Sequence, residues 1–167
     1  MELIEKLISG PSDAAVALLF DNNDEVFWVD WRENDDVLAE YCESIIKSKK
    51  LSSFWEGDNL VIRYGEVSKE VPLARTGGDR HITLVTINET LAPDYEIRMA
   101  WDSDGGDTLA FTILSTGNWN SLESKYGVEK VNRAFLRLSI DLNTFTDPLN
   151  GHRPELKQKN KWWQFWK

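Results

Sequence analysis

The sequence predicts an α+β fold, in which antiparallel β-hairpins pack with three to five helices as a single domain. Three observations predict it. In 94–115 (DYEIRMAWDSDGGDTLAFTILS), Tyr95, Ile97, Met99 and Trp101 alternate onto one face of an extended run, and Leu109, Phe111 and Ile113 onto one face of the next. Between them 102–107 is a run of turn formers with two glycines, so the pair reads as a central hairpin. In 38–46, Leu38, Tyr41, Cys42, Ile45 and Ile46 recur at i, i+3, i+4, i+7 and i+8, the spacing of an amphipathic helix. Finally, 167 residues suit one domain, which buries roughly two thirds of its unfolded surface without disulfides or metals.

The remaining elements follow in chain order. Leu3, Ile4, Leu7 and Ile8 lie at helical spacing, and Gly10-Pro11 stops the helix. The continuously apolar 14–21 (AAVALLFD) predicts a strand buried on both faces, and the alternating 25–31 (EVFWVDW) a second strand, joined to it by Asn22-Asn23-Asp24 as a hairpin. Asn34, Asp35 or Asp36 is expected to cap the helix over 38–46, with Lys47, Lys49 and Lys50 at its negative end. Cys42 then falls in the core.

Residues 59–64 and 66–73 predict another hairpin turning near Gly65, with Pro72 at a strand end or edge. For 80–92 two readings stand. Leu84, Ile87, Asn88 and Leu91 make a helical stripe, whereas 81–87 is β-branched enough for a strand. Pro93 ends either one. After the central hairpin, Ser115 or Thr116 caps a helix bearing Trp119, Leu122 and Tyr126, closed by Gly127. Val128, Val131, Phe135 and Leu138 continue the helical spacing before a strand near 136–142. The domain is expected to span 1–150, with two helix-plus-hairpin halves, 1–75 and 76–142, as an alternative division; 151–167 is a basic, tryptophan-rich tail.

Charge narrows the function. Residues 1–107 carry 23 acidic and 10 basic side chains, a net of −13, within a chain of net −9. Such a body repels nucleic-acid phosphate and anionic lipid and attracts a basic protein. Acidity for solubility alone is the competing explanation. The single cysteine cannot form an intramolecular bridge, and Glu2 and Glu5 stand where a signal peptide carries positive charge, so a cytoplasmic location is expected. No apolar run approaches the ~20 residues that span a bilayer.

His81 and His152 lie far apart, both expected at the surface, and with one cysteine they make no zinc set. The 102–107 loop (DSDGGD) misses the calcium-loop pattern, because Gly106 and Asp107 occupy the places of a ligand and the turn glycine. Thr76-Gly77-Gly78 lacks both glycine-rich phosphate motifs, and Asp79 sits where an anion would bind. No nucleophile elbow is present. No metal, cofactor or catalytic residue is therefore assigned, and an enzyme with its site in a cleft between hairpins stands as the alternative class.

Two stretches are richer in recognition residues than the rest. In 21–36 (DNNDEVFWVDWRENDD), Asp21, Asp24, Glu25, Asp30, Asp35 and Asp36 surround Trp28 and Trp31, a combination that steers a basic partner and supplies aromatic contacts. Asp102, Asp104 and Asp107 form a second candidate patch. At the end of the chain Trp162, Trp163, Phe165 and Trp166 among lysines suit docking on the domain or on another copy, which makes a homo-oligomer or an adaptor role an alternative.

Residues 94–127 resemble small acidic bacterial immunity proteins encoded beside secreted toxins. There a YEIR…DTLAF hairpin precedes a helix of pattern W-x-x-L-E-x-x-Y-G, here Trp119, Leu122, Glu123, Tyr126 and Gly127. The resemblance covers about a fifth of the chain and is to a style of sequence, with no single family attached to it. It implies a cytoplasmic antidote that binds a toxin domain and occludes its active site.

Overall fold

The computed structural model describes residues 1–10, 17–20, 24–149 and 151–154. It is an α+β domain whose centre is a four-stranded antiparallel sheet, formed by β1 (Phe27–Asp30), β5 (Tyr95–Ala100), β6 (Thr108–Ser115) and β7 (Phe135–Arg137) in the order β1-β6-β5-β7. A second sheet is the meander of β2 (Leu51–Glu56), β3 (Asn59–Tyr64) and β4 (Val67–Glu70).

The central hairpin forms as its alternation requires. β5 and β6 pair from Tyr95↔Ser115 to Met99↔Phe111, and a 3₁₀ turn at Trp101–Ser103 joins them. Its odd-numbered side chains enter one core with Phe27 and Val29 of β1, against α2 (Leu38–Ile46), α3 (Asp79–Leu91) and the inner face of the second sheet. The opposite face of the same sheet buries Ala100 and Ala110 against α1 (Glu2–Ser9), α4 (Thr116–Tyr126) and α5 (Val128–Ala134). One sheet thus separates two apolar layers, the arrangement that lets both of its faces leave water.

Several elements match the expectations closely. Ser115 caps α4 by accepting from Asn118 N–H, and Gly127 ends it at φ 89°, a conformation costly for any residue with a Cβ. Gly65 turns the β3–β4 hairpin at φ 59°. The ambiguity over 80–92 resolves to helix, because Leu84, Ile87 and Leu91 face the core together at helical spacing.

Other expectations need correction. The apolar run at 14–21 is not a strand: residues 17–20 are helical, while 14–16 and 21 lie outside the described residues. β1 has no hairpin partner before it and pairs instead with β6, Phe27↔Phe111 to Asp30↔Thr108. The stretch 1–75 therefore contributes a strand to the sheet of 76–142. No strand was expected at Leu51–Glu56, where only Leu51 is buried and the apolar alternation is weak. The capping aspartates behave differently as well, since Asp35–Val37 forms a 3₁₀ turn with no side-chain cap bond.

His81 is the clearest reversal. It is fully enclosed: one ring nitrogen donates to Ser139 O at 2.8 Å, and the other faces Thr144 N–H at 3.3 Å and Thr144 Oγ1 at 3.1 Å. Residues 138–149 wrap over the start of α3, and Leu138, Leu142, Phe145 and Leu149 close the core beneath them. Burial pushes the imidazole below its ordinary pKa, against the opposing effects of the Ser139 bond and Asp147.

Candidate functional site

A cleft of about 760 Å³ opens where three segments meet. The turn after β1 supplies Trp31 and Arg32, the end of β2 and the turn that follows supply Trp55, Gly57 and Asp58, and the loop before α3 supplies Leu73 and Arg75. Trp31 and Trp55 are 46 % and 47 % exposed, unusually open for indoles in a folded domain. Each is oriented by a neighbour. The Arg32 guanidinium lies 5.4 Å from the Trp31 ring centre, and the Trp55 indole N–H donates to Asp36 Oδ2 at 3.1 Å.

The wall opposite the indoles is held by acid–amide and ion-pair contacts. The Asp79 carboxylate accepts from Ala74 N–H at 3.1 Å and Thr76 N–H at 3.0 Å, tying the loop 74–79 to its own helix start. Of the amides in the glycine-rich turn, Asp79 therefore takes that of Thr76, and Gly78 N–H donates to Thr76 Oγ1 at 3.3 Å. Arg80 donates to both oxygens of Asp35 at 2.8 and 2.5 Å and to Trp31 O at 3.3 Å, which fixes the floor. Arg75 reaches into the rim from a left-handed backbone, φ 60°, a conformation that costs a non-glycine about 1 kcal/mol.

The structure sorts the aspartates expected to bind a partner. Asp30 points outward, but Arg32 holds it through both side-chain nitrogens and its backbone N–H, and these bonds bring its carboxyl below the usual range. Asp35 does not join the surface: it is 11 % exposed and consumed by Arg80 and Thr83. Asp36 positions Trp55, and Glu25 pairs with the Met1 amino group. Asp24 is exposed at the turn before β1. Asp21 lies outside the described residues, as do Trp162, Trp163, Phe165 and Trp166.

The second patch divides too. Asp102 is tied to Arg153 at 2.8 Å, so the start of the expected tail is anchored on the domain, whereas Asp104 and Asp107 are exposed. What sequence spacing could not reveal is that the two patches meet. Because β1 pairs with β6, Trp31 N–H donates to Asp107 O at 3.3 Å, placing residues 76 positions apart side by side. A shallower groove adjoins that junction, lined by Phe20 and Trp28, whose rings stack at 4.6 Å, together with Asp107. Phe20, Trp31 and Trp55 are thus exposed, while Trp28 is partly buried against the layer that holds Trp119.

Trp55, Asp58 and Arg75 are site residues that sequence reasoning missed. The one available signal was the Trp-Glu-Gly-Asp-Asn turn at 55–59, which places an indole beside a glycine turn. The two side chains most suited to catalysis lie elsewhere. Burial pushes the Cys42 thiol up and keeps it neutral, and His81 is enclosed beneath residues 138–149. Among the described residues no group of three or more His, Cys, Asp or Glu is placed to hold a metal ion, and no helix is long and apolar enough to cross a membrane. Comparison with protein-family models, with curated proteins and with solved structures finds no match.

Proposed function

We propose that this chain is an immunity protein of the cytoplasm, binding a basic toxin domain and occluding its active site with the surface around the cleft that Trp31 and Trp55 line. The observation that carries the reading is the pair of half-exposed indoles, Trp31 and Trp55, on one cleft. Folding normally buries indoles, and leaving two open on one rim sacrifices apolar burial that binding recovers. The net charge of −9 supports a basic partner, since an acidic body speeds its approach and mimics the field of a nucleic-acid substrate.

The contact surface differs from the one expected from sequence. Asp35 and Asp102 maintain the fold, so the acids offered to the partner are Asp58, Asp104 and Asp107, with Asp30 and Asp36 orienting the aromatics. Co-expression with the products of the neighbouring genes, screened for one that arrests growth when expressed alone, tests the reading. The wild-type chain restores growth and forms a complex measurable by calorimetry, and the double variant Trp31→Ala/Trp55→Ala weakens that complex at least 100-fold with an unchanged melting temperature. Absence of any complex with the wild-type chain ends the proposal.

A further inference from the structure

The three guanidiniums around the cleft are not equivalent, and their differences specify what enters it. Arg80 is locked on Asp35 with both members nearly enclosed. Arg32 folds back on Asp30 at 3.0 and 3.1 Å while lying over Trp31. Each of these charges is cancelled at short range by its own neighbour. Arg75 and Asp58 are a looser pair: their closest atoms are 3.8 Å apart, and the side chains are 72 % and 90 % exposed. Asp58 stands at the tip of the β2–β3 turn, three residues from the Trp55 ring. A carboxylate held by one long, solvated contact exchanges its partner with little loss.

Resting on the immunity reading, we infer that the cleft receives an arginine or lysine side chain from a loop of the partner, with its cationic head against the Trp31 and Trp55 indoles and paired to Asp58 in place of Arg75. Indole faces attract a cation through their quadrupole, and Trp31 already does so with Arg32. Charge complementarity selects this occupant over the others. The lining balances Arg32, Arg75 and Arg80 against Asp35, Asp58 and Asp79, so the sign of the occupant is set by the indole faces, which favour a cation, and by the chain's net charge of −9, which opposes an anion on approach. An apolar side chain gains the indoles but leaves the Asp58 carboxylate to be desolvated without compensation.

Nuclear magnetic resonance of the full chain tests this with three blocked tripeptides, Gly-Arg-Gly, Gly-Glu-Gly and Gly-Leu-Gly, at millimolar concentration. The indole N–H signals of Trp31 and Trp55 are assigned with Trp31→Phe and Trp55→Phe. The arginine peptide shifts both signals saturably, Asp58→Asn weakens its binding at least threefold, and the glutamate peptide moves neither. Asp58 lies on an exposed turn tip, so its variant keeps the wild-type melting temperature. Equal shifts with the leucine peptide, shifts spread over the acidic surface without the two indoles, or no effect of Asp58→Asn overturns the inference. A cleft that takes the arginine peptide in a chain that binds no toxin overturns the immunity reading alone; a toxin complex indifferent to Trp31 and Trp55 overturns the cleft alone.

Discussion

Arg80 grips both carboxylate oxygens of Asp35 from 45 residues away, at 2.8 and 2.5 Å, with side chains 15 % and 11 % exposed. This contact ties the first turn of α3 to the 3₁₀ turn ahead of α2 and forms the cleft floor. Planar guanidinium and carboxylate meet there in the fork geometry that gives such pairs their specificity. Asp35→Asn strands the Arg80 charge in a poorly hydrated place and is expected to cost about 3 kcal/mol. Asp30→Asn, at a pair open to water, is expected to cost far less. Urea denaturation of the two variants measures the contrast, and equal losses would contradict the assignment of Asp35 to the fold.

His81 predicts a pH dependence on the weakly acidic side. Its folded pKa is lowered from 6.5, burial being the main cause, so near pH 6 the unfolded chain binds more protons than the native one. Stability is accordingly full above about pH 6.5 and declines as pH falls through the lowered folded value, by at most about 1.4 kcal/mol per pH unit. Protonation also sets a new N–H against the Thr144 amide, which is itself a donor. In His81→Gln the decline between pH 7 and 5 is expected to disappear, as followed by denaturation midpoints at the two pH values.

A second acid limb comes from the other face of the sheet. Arg98, fully buried beneath Trp119 at 4.0 Å, holds Glu96 at 2.9 Å and Glu123 at 2.8 Å, and Arg137 closes the group from outside. Burial raises the Glu123 carboxyl, but the hydrogen bonds and charges of Arg98 and Arg137 outweigh it, so the net shift is downward from 4.5. Its stabilisation is present above about pH 4.5 and is lost as pH falls through the lowered value. Glu123→Gln is expected to lower the melting temperature at pH 7 and to flatten the acid limb below pH 4.5. An unchanged melting temperature at pH 7 would remove Glu123 from the network.

Cys42 predicts chemical silence. The thiol is buried in α2 and held protonated, so a thiol reagent is expected to label the native chain at least 100-fold more slowly than the urea-unfolded chain. Labelling at comparable rates would place it at the surface.

The sequence by itself determined the elements whose signals are local. Alternation at 95–101 and 109–113 specified both the central hairpin and the face it buries, and three- and four-residue spacing specified α2 and α4, the latter with its Ser115 cap and Gly127 stop. These follow from contacts within a few residues, where the period of the backbone and of the apolar pattern coincide. Charge and composition likewise pointed to an acidic surface carrying tryptophan, though not to which acids it contains.

The long-range pairings came from packing. β1 joins β6 across about 80 residues, Arg80 finds Asp35 across 45, and residues 138–149 enclose His81. Nothing in local spacing encodes these, because strand pairing and ion pairing are chosen by which surfaces the packed helices bring together. The cleft exists for the same reason: Trp31, Trp55 and Arg75 belong to the turn after β1, the end of β2 and the loop before α3, and only the docking of the second sheet beside β1 and α3 makes them neighbours.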